Sequence, residues 1–186
     1  MLPRLGGFCS IRLLDEDGEA VAYRLSGPET DFREESYAPD LPDVFLERRK
    51  EAPIKHLDVF DNAGLRLLAD TRDRDLILLD EIGGIELLCE RFRKRLYEVL
   101  DGNVPCLGVI KQNEKTRFLS EALYHADTDG SAGTKTGAVR LAELNLRLHQ
   151  DLEQRFAAET IYYDPLHRDE EKQKIKEYIC GNYMTD

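Results

Sequence analysis

Leu76-Ile77-Leu78-Leu79-Asp80-Glu81-Ile82-Gly83-Gly84-Ile85-Glu86-Leu87-Leu88 is the stretch on which the reading of this 186-residue chain turns. Four consecutive apolar residues leave neither face polar, which predicts a short strand buried on both sides in the middle of a sheet. The strand ends in two acids and two glycines. Ligands of open α/β sheets bind at the carboxyl ends of the strands, so such a strand delivers Asp80 and Glu81 to a binding edge. An Asp there can hold Mg²⁺, usually through water, because the ion keeps much of its hydration shell. A Glu beside it can orient or deprotonate the water that attacks a γ-phosphate. The same string also describes a plain buried strand whose acids cap the next helix, and on its own it does not separate the two.

Working outward, residues 86–100 read as an amphipathic helix with Leu88, Phe92, Leu96 and Val99 on one side. Residues 104–110 (VPCLGVI) read as a second buried strand, ending at Lys111-Gln112-Asn113. A helix is expected over 114–124, a polar glycine-rich loop over 126–137, and a long helix over 138–156 with Leu141, Leu144, Leu148, Leu152 and Phe156 as its stripe. Residues 160–163 suggest a further strand and 169–179 a charged helix. Upstream, 7–14 and 19–25 are strand-like runs flanking Asp15-Glu16-Asp17-Gly18, a β-hairpin signature. Residues 26–53 read as loops with a short strand near Val44-Phe45-Leu46, and 56–74 as a helix. This order of strands and helices implies an α/β fold, a parallel sheet covered on both faces. No repeat or domain boundary stands out, so one domain over 1–186 is expected.

The net charge is −11, which argues against general nucleic-acid binding and against anionic membranes. It leaves room for a local phosphate site built from backbone N–H groups. No apolar run is long enough for a transmembrane helix, and residues 1–7 lack the apolar core of a secretory signal. Cys9, Cys89, Cys106 and Cys180 have no metal-ligand spacing and read as reduced packing thiols of a cytoplasmic protein. His56, His125, His149 and His167 are scattered, without metal-site spacing. Tyr162-Tyr163 fits either base stacking or an ordinary alternation between core and surface.

The string LILLDEIGGIELL, with Phe92 in the next helix and VPCLGVIK at 104–111, resembles the small P-loop nucleoside-triphosphatases of the cancer-related type. That family has a Walker B strand of the form apolar-Asp-Glu-Ile-Gly-x-x-Glu and a following Val-Pro-x-x-Gly strand. Gly6-Gly7-Phe8 and the hairpin resemble the segment after the family's phosphate-loop helix, and 160–179 resembles its last strand and helix more loosely. The resemblance implies a three-layer P-loop-NTPase-like (RecA-like), mostly parallel sheet. It implies hydrolysis of a nucleoside triphosphate to diphosphate and phosphate with Mg²⁺. Asp80 would be the metal-associated carboxylate and Glu81 the catalytic base. Lys111 and Gln112 would sit where a polar residue senses the γ-phosphate, and Arg168 would correspond to an Arg near the start of the last helix. Residues 125–158 are not part of the common pattern and read as an insertion.

The family's opening strand, GxxxxGK[ST] loop and helix, whose backbone N–H groups and Lys hold the phosphates, have no counterpart here. Gly130-Ser131-Ala132-Gly133-Thr134-Lys135-Thr136 imitates the loop, but Thr134 precedes the lysine where glycine is required, and Asp129 stands where the first glycine belongs. Two explanations are open. The chain is a truncated enzyme, or it is a relative that keeps the fold as a non-catalytic binding or assembly module. In either case the sheet loses a strand, and its edge invites re-pairing or self-association.

Overall fold

Gly18, with φ +80°, closes the hairpin turn expected between 14 and 19, and the Asp15 carboxylate accepts the backbone N–H groups of Asp17 and Glu19 at 3.0 and 2.9 Å. The turn joins β1 (Leu5–Leu14) to β2 (Ala20–Ser26), which pair antiparallel. This computed structural model describes residues 3–30, 34–50, 52–114, 116, 134–161, 170 and 172–177. Further strands are β3 (Glu35–Ser36), β4 (Val44–Glu47), β5 (Ile54–Lys55), β6 (Leu76–Ile82) and β7 (Cys106–Ile110). The sheet runs β5-β4-β2-β1-β6-β7, with β3 beside β1. β1, β6 and β7 are mutually parallel, whereas β2, β4 and β5 continue as an antiparallel wing. The result is an open α/β sheet of the P-loop-NTPase-like kind, parallel in the half that carries the acids.

β6 is central, as its apolar run requires: Ile77 and Leu79 are buried, and β1 and β7 flank it. Gly7 lets β1 approach so closely; its φ is +94°, and a Cβ there would lie 1.9 Å from the Leu78 carbonyl oxygen. Phe8 and Cys9 alternate onto opposite faces. On one face Phe8 meets the ring of Phe92 at 5.6 Å, and Phe92, Phe60 and Phe45 continue the stack. On the other, Cys9, Ile11, Leu13 and Ala22 form a core with Tyr37, Leu41 and Val44.

Several expected boundaries move. The helix expected over 56–74 is short: a π-helical turn Phe60–Gly64 runs into one α-turn, Leu65–Leu67 (together α1). Gly64 presses on the Phe92 ring, where a Cβ would sit 2.7 Å from a ring carbon, so tertiary packing rather than helix propensity shapes this segment. The helix expected from residue 86 begins later, as α2 (Glu90–Leu100), after a 3₁₀ turn Ile85–Leu88. Glu86 is turned inward by that 3₁₀ segment instead of starting the helix. The strand expected over 104–110 is β7, and it is not buried: it ends the sheet order among the described residues, with Val109 54% exposed. The long helix, α3 (Thr134–Gln154), starts before the expected 138. Thr160 and Ile161 are not in a strand. Most of the helix expected over 114–124, the glycine-rich segment up to 133, Tyr162-Tyr163, Arg168, His125, His167 and Cys180 lie outside the described residues. Cys9, Cys89 and Cys106 are free; burial pushes their thiols up to about 11, 12 and 11.

The chain divides into two compact units, 1–150 and 151–186. In the second, the N–H of Arg155 and of Phe156 both donate to the Asp151 carbonyl as α3 ends, and Arg155 stacks over the Phe156 ring at 5.0 Å. Glu170 and residues 172–177 are helical there.

Candidate functional site

Asp80 and Glu81 fall within β6, two and one residues before its end at Ile82. The ladder to β7 slips between Asp80 and Ile82, so Asp80 pairs with Val109 and Ile82 with Ile110, and Glu81 is left out of the register. The peptide joining Asp80 and Glu81 is cis. Asp80 is half-buried against β1, where the Ser10 hydroxyl donates to its carbonyl at 3.2 Å. Burial, and next the adjacent Glu81 charge, push the Asp80 carboxyl above its ordinary range; a backbone hydrogen bond from Ser10 and the Lys111 charge oppose the shift. Glu81 is 40% exposed and forms an ion pair with Lys111, which leaves β7 one residue after Ile110. Gln112 is exposed one residue further on. Of the residues expected in the site, the fold therefore brings together Asp80, Glu81 and Lys111, has Gln112 exposed one residue beyond Lys111, and leaves Arg168 outside the described residues.

Behind this face stands a third carboxylate, to which the sequence pattern attached no role. Glu86 is 4% exposed, and one oxygen accepts the N–H groups of Gly83 at 2.6 Å and Gly84 at 2.8 Å. Burial raises its carboxyl above the ordinary range, against the pull of these N–H donors and of Lys111. Gly83 has φ +94°, and the turn it makes swings the chain from β6 into the 3₁₀ segment. The Gly83 carbonyl accepts the Thr116 hydroxyl at 3.1 Å and the Asn145 amide at 2.9 Å. The Lys111 carbonyl accepts Asn145 at 3.2 Å and pairs with His149 Nε2 at 2.9 Å. The signal for Glu86 was present in the motif, as an acid three residues beyond the first glycine. Asn145, far away in sequence, gave none.

Two adjacent carboxylates, one of them desolvated, suit a cation that takes one or two protein carboxylates and keeps waters or phosphates for the rest. No cluster of three or more His, Cys, Asp or Glu suited to a metal occurs among the described residues, so an all-protein cage is not what this edge offers. Mg²⁺ fits the donor set in that limited sense. A cavity of about 230 Å³ lies elsewhere, on the antiparallel wing, lined by residues such as Tyr37, Asp43, Glu47 and His56.

Fold and site together define a P-loop-NTPase-like α/β protein with two acids at the end of its central strand. Residues 45–130 match the family model described as NTPase. Over 117 residues the chain is 29% identical to Nucleoside-triphosphatase THEP1 of Thermotoga sp. (strain RQ2), covering 61% of this chain and 63% of that protein's length. Both likenesses are to nucleoside-triphosphatases, the class that the LILLDEIGGIELL string resembles. No solved structure matches it. Among the described residues no helix is long and apolar enough to cross a membrane.

Proposed function

We propose that the carboxyl end of β6 handles the triphosphate tail of a Mg²⁺-bound nucleoside triphosphate, with hydrolysis to the diphosphate and phosphate as the reaction of the complete site. The observation that carries this reading is the placement of Asp80 and Glu81 side by side at the end of the central parallel strand, with Lys111 of the next strand against Glu81. Asp80 would associate with the metal through its water shell, as Mg²⁺ prefers. When bound, the ion supplies charge neutralisation of the phosphate oxygens. Glu81 would orient the attacking water, and Lys111 and Gln112 would face the terminal phosphate. A phosphate arriving at Lys111 competes with Glu81 for the ammonium, and so releases the carboxylate for its work on water.

The 186 residues contain no GxxxxGK[ST] stretch, so the backbone cradle for the phosphates is not supplied by that motif here. The test is phosphate release from Mg-ATP and Mg-GTP by this chain and by Glu81→Gln. Release that disappears in Glu81→Gln supports the reading, and equal release from both removes the role given to Glu81.

A second reading, a module that keeps the fold and binds or assembles without turnover, draws on the exposed Val109 of β7, the last strand in the sheet order among the described residues. It predicts no shift of melting temperature with millimolar Mg-ATP, and self-association in light scattering.

A further inference from the structure

The turn after β6 and the segment after β7 are cross-linked by a helix that lies outside the matched family segment of 45–130. Asn145 of α3 is fully buried, and its amide nitrogen donates both to the Gly83 carbonyl, in the turn after β6, and to the Lys111 carbonyl, after β7. The ladder between β6 and β7 ends with the Lys111 N–H donating to the Ile82 carbonyl at 2.8 Å. We propose that Asn145 is a positioning residue: by bridging the Gly83 and Lys111 carbonyls it ties the two chains together one step beyond that last ladder bond, and thereby holds Lys111 against Glu81.

The hydrogen-bond inventory favours this over simple packing. Each bridged carbonyl has a second partner that does not bridge: Thr116 Oγ1 on Gly83, and His149 Nε2 on Lys111. Removing Asn145 therefore leaves neither carbonyl bare. What disappears is the side chain that touches both carbonyls, leaving the Lys111 N–H to Ile82 carbonyl bond as the remaining tie. The amide can serve only with its NH₂ inward, because both targets are acceptors. That orientation leaves its Oδ1 buried with no hydrogen-bond partner, a cost that an apolar side chain of similar size would not incur. A residue kept for packing alone would not be asparagine. Gly83 is fitted to the same contact, since a Cβ at that position would lie 2.4 Å from the Asn145 amide nitrogen. Two residues before Gly83 is Glu81, and Lys111 itself provides the second carbonyl, so any change in the bridge is passed directly to the ion pair.

The consequence for turnover rests on the nucleotide reading above, but the test does not use nucleotide, so the two can fail separately. Lysines are methylated with ¹³C-formaldehyde, the Lys111 signal is assigned with Lys111→Arg, and Glu81→Gln marks the position of the broken pair. Asn145→Leu and Asn145→Asp, which each lack the bridging NH₂, are expected to move the Lys111 signal toward the Glu81→Gln position. A signal that stays at the wild-type position in a folded variant, even with a lowered melting temperature, overturns the proposal and leaves Asn145 a packing residue. Should neither variant fold, amide exchange on the unmodified protein decides: the Gly83, Gly84 and Lys111 amides are expected to open together with residues 141–149, and independent opening overturns it.

Discussion

The antiparallel wing and the parallel end of the sheet both carry acids, and they treat them in opposite ways. On the wing, Glu47 accepts from the Tyr37 hydroxyl at 3.1 Å and Arg49 at 3.1 Å, and pairs with His56 at 2.8 Å. These partners, His56 first, hold its carboxyl below the ordinary range. Beside it Arg24 grips Glu35 with two hydrogen bonds, at 2.8 and 2.7 Å. At the parallel end Asp80 is half-buried next to another acid, and its carboxyl is raised. Glu47 and Glu35 are surrounded by donors that favour their charge. Under the proposed function, Asp80 is the carboxylate left to meet a cation, whereas Glu47 and Glu35 are already paired within the sheet wing.

The contrast depends first on the backbone that brings the acids to the sheet's end. Gly7→Ala drives a Cβ into the Leu78 carbonyl at a positive φ and should cost about 3 kcal/mol or more, read as a large fall in the midpoint of chemical denaturation. Glu86→Ala strips the Gly83 and Gly84 N–H groups of their acceptor and should cost about 2–3 kcal/mol, whereas Glu86→Gln keeps an acceptor oxygen and should lose less. A Glu86→Ala protein as stable as the wild type would mean that the glycine turn needs no anchor.

The sharpest comparison sets Glu47→Gln against Asp80→Asn. Glu47, with its lowered carboxyl, contributes stability that is present above the ordinary carboxylate range and lost as pH falls through its folded value. Glu47→Gln should therefore be destabilising by about 1 kcal/mol at pH 7, with the deficit shrinking under acid. Asp80, with its raised carboxyl, costs stability above its folded value; that cost fades as pH falls through the folded value and is gone below the ordinary range. Asp80→Asn should be slightly stabilising at pH 7, by roughly 0.5–1 kcal/mol, with the gain gone in acid. Urea titrations at pH 7 and pH 4 read both signs; two substitutions that behave alike would dissolve the distinction.

Much of this was legible from local pattern. The hairpin announced itself through Asp17-Gly18, β6 through its unbroken apolar run, and α2 through the spacing of Phe92, Leu96 and Val99. The errors were non-local. β7 is apolar enough to read as buried, but its exposure is set by the sheet order, which VPCLGVI does not encode by itself. The 56–74 segment has helical spacing, yet its helical turns end at Leu67, and Gly64 within them is packed against the Phe92 ring. In the site, Asp80 and Glu81 stood out because adjacent acids after a buried strand are chemically conspicuous. Asn145 lies 62 residues from its Gly83 partner and looks like any polar position on a long helix. Lys111 was named for the phosphate, but its pairing with Glu81 depends on two neighbouring strands ending side by side.

The most direct test of the central claim is a titration of the ¹⁵N-labelled protein with Mg²⁺ and a non-hydrolysable ATP analogue, for wild type and Asp80→Asn. Mg²⁺-dependent shifts are expected on the amides of Asp80 to Gly84 and on Lys111, weakened in Asp80→Asn. Shifts centred on the Tyr37–Glu47–His56 wing, or equally strong in Asp80→Asn, would contradict that claim.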